Sequence, residues 1–286
     1  MSSVANFERF QAAKTKLDVS AALWARLRQE AAEAYSQERA LGALFVNSIL
    51  NRASFEDAVI HRIAARLGNE IVPAFLIADV FAQALAGDAG IGAGFLADIM
   101  AVVDRDPACE RLLEPFLYFK GFHAIETHRL AHWLWANGRT SFALYLQSRS
   151  SEVFQTDIHP AAVFGTGIFL DHATGLVVGA TSTIGDDVSI LQNVSLGGTG
   201  NEAGDRHPKV RRGVMIGAGA KILGNIEIGA CSRIAAGSVV LHSVRPNTTM
   251  AGVPARAVGT AGCAEPARSM NQILSQLAYD SFTYTI

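Results

Sequence analysis

The stretch that decides the fold is residues 210–240, which read VRRGVMIGAGAKILGNIEIGACSRIAAGSVV. Every sixth residue in it is valine or isoleucine: Val210, Ile216, Ile222, Ile228, Ile234 and Val240. The same spacing joins Val178, Ile184, Ile190 and Leu196 upstream, and a small or branched residue usually lies two positions before each. A period of six fits neither a helix nor a hairpin strand. It is typical of a parallel β-helix, in which each short strand forms one side of a triangular coil.

Two breaks interrupt this six-residue ladder. Leu170 and Val178 are eight residues apart, and Leu196 and Val210 are fourteen apart. The second break, residues 197–208, reads GGTGNEAGDRHP and is rich in loop-forming residues. We therefore expect the coil to bulge at the first break and a loop to project at the second. In repeat architectures such irregularities often carry the binding groups.

The first half of the chain follows a helical pattern instead. In residues 54–68, Ser54 and Asp57 resemble a capping box, apolar residues recur at helical spacing, and Gly68 ends the pattern. Residues 121–138 carry a similar apolar stripe, formed by Phe122, Ile125, Leu130, Trp133 and Leu134. Such stripes indicate core or oligomer contacts.

The predicted fold class is therefore α+β, with an N-terminal α-helical domain followed by a parallel β-helix of hexapeptide repeats. We expect the helical domain to occupy residues 1–150 and the β-helix to occupy 151–259. Residues 260–286, beyond the ladder, are expected to form a flexible C-terminal tail.

Composition narrows the class of partner. Charged residues make up 17% of the chain and the formal net charge is −2, so the basic field of a nucleic-acid binder is not expected. Three scattered cysteines argue against a disulfide framework and a zinc knuckle, and favour a reducing cytosol. Neither a secretory signal nor an apolar run of about 18 residues is recognisable. We therefore predict a soluble cytoplasmic protein that acts on a small molecule, away from any membrane.

Both breaks contain residues suited to acid–base chemistry. Asp171 and His172 lie in the first, and Arg206 and His207 lie in the second. Transfer of an acyl group from a thioester to an alcohol needs a base for the hydroxyl proton, and the near-neutral pKa of histidine suits this task. A carboxylate on the other ring nitrogen would fix the tautomer. Asp157, fifteen residues before His172, is a candidate because the spacing is close to one coil.

Five motifs together resemble those of the serine O-acetyltransferases of cysteine biosynthesis. They are DIHP at 157–160, DHATG at 171–175, GGTG at 197–200, DRHP at 205–208 and AGVPAR at 251–256. The resemblance runs from about residue 105 to residue 256. It implies a left-handed β-helix and the transfer of an acetyl group from acetyl-CoA to the hydroxyl of L-serine.

The resemblance also implies a role for each matching residue. His172 matches the general base and Asp157 its orienting carboxylate. Asp106 and Asp171 match the groups that hold the amino end of serine, and Arg206 and His207 match those that bind its carboxylate. This division is physically coherent, because a zwitterion needs anions at one end and a cation at the other. The acetyl-CoA contacts are implied near Gly198, Ala218, Gly219, Ala236 and Thr249, in a slot between two β-helices of a trimer, and no metal is implied.

Assembly and control follow from the same resemblance. It implies a hexamer made of two trimers, joined through the helical half, and feedback inhibition by L-cysteine at the serine site. Family members often end in an isoleucine that enters the active site of O-acetylserine sulfhydrylase. Ile286 keeps that feature, although the residues before it depart from the expected small and acidic ones.

Each site residue also has a structural alternative. His172 could be a satisfied core histidine, Asp157 a turn residue and Arg206 a solvated loop charge. Asp106 could begin a helix before Pro107. The alanines and glycines near the CoA positions are expected at corners in any case. His123, His128 and His132 have metal-like helical spacing, but surface or inter-subunit packing is the favoured interpretation.

Three competing functions remain open at this point. One is acyl transfer to another hydroxyl, of a sugar or of homoserine. Another is a zinc-dependent hydratase on the same β-helix, but His159, His172 and His207 are separated by thirteen and thirty-five residues and fit its histidine pairing poorly. The third is an inactive structural prism, which the polar insertions disfavour.

Overall fold

A computed structural model describes residues 16–200 and 203–274 of the chain. Its N-terminal half is helical. The helices are α1 (Lys16–Gln37), α2 (Gly42–Phe45), α3 (Phe55–Leu67), α4 (Ala74–Gly87), α5 (Ala89–Arg105), α6 (Leu113–Leu117), α7 (Lys120–Ala136) and α8 (Thr140–Phe154). A 3₁₀ turn (Arg39–Leu41) and a π-helical turn (Val46–Leu50) flank α2.

Both helices anticipated from the sequence are present, and their ends have clear causes. The hydroxyl of Ser54 accepts a hydrogen bond from the backbone of Asp57 at 3.2 Å, which caps α3, and Gly68 ends it. Helix α7 covers most of residues 121–138. It is buried on nearly every side, not along one stripe, because it packs against α5, α8 and the β-helix. Its polar residues are therefore core residues.

The second half coils into three parallel sheets, which form the faces of a triangular prism. Sheet 1 contains β1 (Thr156–Ile158), β4 (Leu176–Val178), β7 (Ser195–Gly197), β10 (Lys221–Leu223) and β13 (Val239–Val240). Sheet 2 contains β2 (Val163–Phe164), β5 (Thr183–Ile184), β8 (Lys209–Val210) and β11 (Glu227–Ile228). Sheet 3 contains β3 (Phe169–Leu170), β6 (Ser189–Ile190), β9 (Met215–Ile216), β12 (Arg233–Ile234), β14 (Thr248–Gly252) and β15 (Ala255–Thr260).

The predicted ladder forms the inside of this prism. Every one of its ten residues from Val178 to Val240 is at most 2% exposed. Most residues two positions earlier are buried as well, with Ile226 half-buried as an exception. Because the side chains of successive coils stack on one another, each coil depends on its neighbours for burial and for backbone hydrogen bonds. The parallel β-helix predicted from the period of six is confirmed.

Register shows where the coils differ in length. Stacked partners are eighteen residues apart where β4 meets β7, since Val177 pairs with Ser195. They are twenty apart between β1 and β4, and twenty-six apart between β7 and β10. The extra residues of the two longer coils lie at corners of the prism, at the two breaks seen in the sequence. The successive strands of each sheet therefore stay aligned.

The end of the prism is closed by an antiparallel hairpin of β14 and β15. Residues 275–286 of the predicted flexible tail lie outside the described residues, and residues 261–274 fold back onto the rest of the molecule. They include the short helix α9 (Pro266–Ser269), and Arg268 makes two hydrogen bonds to Asp104. Ala267 is 2% exposed and its carbonyl accepts from the buried Ser189 hydroxyl. The contact with α5 explains the order of this segment.

The helical half is fixed to the prism by buried polar contacts. Arg105 donates to the Gly167 carbonyl at 2.9 Å and to the Asp187 carboxylate at 3.0 Å. Arg129 pairs with Asp98, whose other oxygen accepts from the Ile168 backbone at 2.8 Å. These bonds hold the helices in a fixed position beside the first break of the coil.

No single helix among residues 16–200 and 203–274 is both long and apolar enough to cross a membrane. The bent pair α4 and α5 passes that test only when its two helices are taken together, by length and composition.

Candidate active site

His172 lies at a sharp corner between sheet 3 and sheet 1, which we call the 3–1 corner. His172 has a φ of 55° and Ala173 a φ of 59°, so two successive residues with side chains adopt the left-handed conformation. Such a conformation is uncommon outside glycine and is found where the surrounding structure imposes it. The predicted bulge at the first break is this corner, and it brings the side chain of His172 out of the prism to a 74% exposed position.

A cavity of about 360 Å³ opens beside this corner. Asp106, Asp171 and His172 line it, together with Tyr118 and Lys120 at the start of α7. Asp106 comes from the end of α5, where its carboxylate accepts from the Ala108 backbone at 2.9 Å. It therefore stabilises a turn and does not begin a helix. The volume lies within the range of small-molecule sites, which is about 300–1,000 Å³.

The electrostatics of the cavity favour a positively charged ligand group. Burial raises the pKa of Asp171, and the nearby carboxylate of Asp106 raises it further, while His172 opposes both effects. Nε2 of His172 lies 3.7 Å from Oδ1 of Asp171. An ammonium group between Asp106 and Asp171 would relieve the repulsion between the two carboxylates. The arrangement thus offers two carboxylates for an amine beside an exposed imidazole, while the ammonium of Lys120 in the same lining is bonded to Thr174 and Gln155.

Asp157 does not occupy this cavity. The coil is twenty residues long here, so Asp157 stacks against Val177 and not against His172, contrary to the spacing argument. Its carboxylate accepts from the Gln147 amide at 2.6 Å, on the surface of helix α8. Both Asp157 and His172 border sheet 1, which begins at the 3–1 corner, but in the described part of the chain no hydrogen bond joins them.

Sequence reasoning missed a lysine that supports the corner. Nζ of Lys120 donates to the hydroxyl of Thr174 at 2.5 Å and to the side chain of Gln155 at 3.1 Å. The Gln155 carbonyl in turn accepts from the Gly175 backbone at 2.8 Å. Lys120 thereby ties the start of α7 to the turn that carries His172. Its position directly before the GFH sequence gave no signal of this contact.

The second break places Arg206 and His207 at a different corner, between sheets 1 and 2, which we call the 1–2 corner. His207 is 7% exposed, and its Nδ1 lies 2.8 Å from the hydroxyl of Thr181. The ring rests on Gly179, which is one coil below. Lys209 closes the loop by donating to the Asp205 carboxylate at 2.5 Å.

The six predicted catalytic and serine-binding residues are therefore not all brought together within one chain. Asp106, Asp171 and His172 meet at the 3–1 corner, whereas Arg206 and His207 lie at the 1–2 corner. The length of one strand of sheet 1 separates the two corners. Three residues at about 3.3 Å per residue span roughly 10 Å. The ammonium and carboxylate of one amino acid are bonded to the same carbon atom, so this separation of the backbone corners favours a site shared between two prisms.

Three of the five predicted CoA positions form a column above His172. Ala218 and Gly219 lie two coils above Thr174 at the 3–1 corner, and Ala236 lies in the next coil. Hydrogen bonds connect these turns, from Asn193 to Thr174, Gly219 to Gln192 and Gly237 to Ala218. Gly198 lies instead at the 1–2 corner, beside Arg206. Thr249 is buried on β14, and its hydroxyl donates to the Thr260 carbonyl.

Two of the helix histidines, His123 and His128, are core residues and not surface ones. Burial lowers the pKa of His123 and of His128 to about 3, so both are neutral. His123 bonds to the Phe116 carbonyl and His128 to the Ala162 carbonyl. Half-buried His132 bonds to the carbonyl of Pro160. Among the described residues, no group of three or more His, Cys, Asp or Glu side chains is arranged to hold a metal ion.

A larger cavity, of about 450 Å³, lies away from the 3–1 corner. It is enclosed by α5, the prism and the folded-back segment that contains α9, and Arg105 and Arg268 line it. Both arginines already pair with carboxylates there. We assign this space to the packing of the C-terminal segment.

Comparison with known proteins adds the family context. Residues 23–127 match the model of the serine acetyltransferase N-terminal domain, and residues 207–242 match the bacterial transferase hexapeptide model. The chain is 50% identical to a serine acetyltransferase of Escherichia coli strain K12 over 250 residues, which are 87% of this chain and 92% of that protein.

Solved structures agree with the fold. The serine acetyltransferase of Brucella abortus in complex with coenzyme A is 58% identical, with a TM-score of 0.85, and the match covers 87% of this chain and all of that one. A serine acetyltransferase in complex with cysteine is 50% identical, with a TM-score of 0.87, and covers 90% of this chain. That match also includes the whole of the second chain.

Proposed function

The chain belongs to the serine acetyltransferase family, and on this premise we propose how its residues carry out the reaction. The reaction transfers the acetyl group of acetyl-CoA to the hydroxyl of L-serine and gives O-acetyl-L-serine and CoA. The observation that carries our assignment is the exposed His172 at a strained corner, beside two carboxylates in a cavity of about 360 Å³.

His172 acts as the general base. A ring nitrogen takes the proton of the serine hydroxyl while that oxygen bonds to the carbonyl carbon of the thioester. The carbon–sulfur bond then breaks, and the imidazolium returns the proton to the sulfur of CoA. A positioned histidine typically contributes about 10²- to 10⁴-fold to such a step. Asp157 orients the imidazole from sheet 1, which requires it to exchange its bond with Gln147 for one with His172.

Serine is held at both ends. Asp106 and Asp171 bind its ammonium, which the repulsion between these two carboxylates favours. Arg206 and His207 bind its carboxylate, the arginine through paired hydrogen bonds. Because these two groups lie at different corners of one prism, Arg206 and His207 come from a neighbouring subunit. The separation of the corners supports an active site shared between two prisms.

Acetyl-CoA, as co-substrate, lies along the column of small residues at the 3–1 corner. Ala218, Gly219 and Ala236 leave the backbone accessible there, so an extended arm can bond to it and reach His172. Gly198 faces the arm from the 1–2 corner of the neighbouring subunit, whereas Thr249 is buried in this chain and supports the slot from behind, on sheet 3. The complex of the Brucella relative with coenzyme A supports this ligand.

The assembly is a hexamer, made of two trimers joined through the helical half. The pairing of a 3–1 corner with a 1–2 corner of the next chain is head-to-tail, and such a contact forms a closed ring only when the rotation from one chain to the next closes. Three prisms satisfy this requirement with three shared sites. Sedimentation analysis is expected to give six chains, and an active monomer would contradict the shared site.

Control and location complete the proposal. L-cysteine inhibits by occupying the serine site, since it differs from serine only in its terminal atom, and the relative solved with cysteine supports this. Ile286, which lies outside the described residues, binds O-acetylserine sulfhydrylase. A pulldown with and without Ile286 tests this contact, and equal recovery would contradict it. The enzyme works in the cytoplasm.

The test of the base is His172→Ala. We expect the rate of thiol release from acetyl-CoA with serine to fall at least about 100-fold, with the thermal unfolding of the protein unchanged. His242→Ala is the matched control, because His242 is exposed and follows the end of β13, at the edge of sheet 1 opposite the 3–1 corner. Homoserine and a sugar in place of serine test the other acceptors. Full activity of His172→Ala would refute the assignment.

A further inference from the structure

The hydroxyl of Thr181 lies at the centre of the hydrogen bonds that shape the 1–2 corner. Its Oγ1 accepts from the backbone N–H of Arg206 and from that of His207, each at 3.1 Å. The same oxygen lies 2.8 Å from Nδ1 of His207, and the backbone N–H of Thr181 donates to that nitrogen at 3.2 Å. A single threonine thus contacts both the ring and the backbone of His207.

These contacts determine where the imidazole proton lies. Nδ1 of His207 accepts from the Thr181 N–H, so it carries no hydrogen of its own. Oγ1 already accepts two N–H groups, so its own hydrogen is available to Nδ1 as a second donor. The Asp205 carboxylate also lies near this hydroxyl, but the backbone donor reaches Nδ1 whichever way the hydroxyl turns. The neutral ring therefore has its hydrogen on Nε2.

The groups around His207 oppose a positive charge on it. Burial lowers the pKa of His207, and Arg206 and then Lys209 lower it further; Asp205 opposes this effect, and His159 adds to it slightly. The ring packs directly against the Gly179 backbone and fills the space that a side chain there would need, because a Cβ on that residue would lie only 2.1 Å from Nε2. The ring is held neutral and in one orientation.

We propose that Thr181 is a positioning residue for substrate binding: it holds His207 as the neutral tautomer whose Nε2–H donates to the carboxylate of the amino acid. This inference rests on the proposed role of His207. In this arrangement Arg206 supplies the positive charge and His207 supplies a directed hydrogen bond. The preference for a carboxylate over a neutral group then depends on a residue that itself never touches the substrate.

Thr181→Val removes the hydroxyl and keeps the shape, and Thr181→Ser keeps the hydroxyl. Thr181→Val keeps the backbone N–H that bonds Nδ1 but removes the acceptor of the Arg206 and His207 backbone N–H groups, so the ring is expected to move away from the carboxylate. Losing one hydrogen bond to a charged group is expected to raise the KM for serine about 10- to 150-fold. The KM for acetyl-CoA is expected to change much less than the KM for serine, since the proposed CoA column lies at the 3–1 corner and Thr181 contacts none of its residues. Thr181→Ser is expected to behave like the wild type. Equal KM values for serine in the two variants would overturn the proposal.

A double-variant cycle separates an effect through His207 from a general loss of structure. In His207→Asn, an acceptor remains near Nδ1 but nothing replaces Nε2. Thr181→Val added to His207→Asn is expected to raise the KM for serine no further, whereas additive effects would overturn the proposal. If His207→Asn alone leaves that KM unchanged, the proposed role of His207 fails first, and the role of Thr181 fails with it.

The tautomer itself is directly observable. Nitrogen-15 spectra of the wild-type hexamer labelled at histidine are expected to show His207, assigned by its loss in His207→Asn, with a hydrogen on Nε2 alone at neutral pH. A hydrogen on Nδ1 would overturn the proposal even if the kinetic expectations were met.

Discussion

Gly179→Ala places a methyl group against His207, and the structure gives the size of the disturbance. A Cβ on Gly179 would lie 2.0 Å from Cδ2 of the ring, whereas ordinary contact begins at 3.4 Å, so the ring has to retreat by about 1.4 Å. A displacement of about 1 Å in a binding group costs about 100-fold in rate. We expect kcat/KM for serine to fall about 100-fold. Overpacking is expected to lower the free energy of unfolding by about 1–3 kcal/mol.

Gly197→Ala is the matched control for this experiment. Gly197 occupies the equivalent position one coil above Gly179, because Val178 pairs with Leu196. A Cβ there would meet only the end of the Leu223 side chain, at 3.1 Å, and that side chain can turn away. Both variants are compared by thiol release at varied serine concentration and by thermal unfolding. If Gly179→Ala keeps kcat/KM for serine within about threefold of Gly197→Ala, the tight contact with His207 has no functional role.

The remaining predictions concern the junction between helices and prism. Arg129→Met is expected to lower the free energy of unfolding by about 3–5 kcal/mol, because it leaves the buried charge of Asp98 without a partner. Glu126→Gln is expected to change that free energy by less than about 1 kcal/mol. Urea unfolding measures both variants, and equal losses would contradict this prediction. Burial, and then Asp98, raises the pKa of Glu126 well above its ordinary 4.5, so the folded state keeps a proton that the unfolded state releases. The stabilisation from that proton is complete below pH 4.5 and is lost as the pH rises through the folded-state pKa, so wild type is expected to lose more stability than Glu126→Gln over that rise. Gly121→Ala would place a Cβ 1.9 Å from the Leu170 carbonyl oxygen. This variant is therefore expected to lower Tm by several degrees in calorimetry. A Tm within about one degree of wild type would contradict the close packing at this position.

The different behaviour expected of Glu126 and Arg129 follows from their contacts. Asp98 bonds to Arg129 and to the Ile168 backbone. The fully buried Glu126 lies beside the same guanidinium, with its Oε2 3.1 Å from Nε of Arg129, but neither of its oxygens accepts a well-aligned hydrogen bond. A protonated Glu126 can donate to the Asp98 carboxylate, and this satisfies both groups. Replacing that acid by a neutral amide preserves its size and charge state, whereas removing the guanidinium leaves an unpaired anion in the core.

The prism could be predicted from the sequence because the same six-residue spacing of aliphatic residues recurs along the second half of the chain. Each residue from Val178 to Val240 in steps of six occupies the same environment, and every one is buried. The two breaks were visible for the same reason, as departures from a fixed period. Local signals also sufficed for α3, whose cap is made by neighbouring residues Ser54 and Asp57.

Contacts that depend on coil length or on packing between halves could not be predicted. Asp157 and His172 appeared to be one coil apart, but the coil is twenty residues long there and Asp157 stacks on Val177. Lys120 and Thr181 contact residues that are 25 or more positions away in the chain, and no sequence spacing predicts these contacts. The burial of His128 was not predicted, because the apolar stripe in α7 suggested that only one face of this helix is buried. The small number of charged residues on its other faces was the available sign that they are buried too.

Coils of eighteen, twenty and twenty-six residues stack in one register, since every addition is confined to a corner. The scaffold can therefore acquire or exchange a polar loop without altering its interior, provided that the loop begins and ends at the same edge. A designer could graft a polar loop like 197–208 onto an inert prism of this type, or shorten it, at little cost to folding. In this architecture the loop residues at the corners can change while the inward-facing residues that stabilise the prism stay the same.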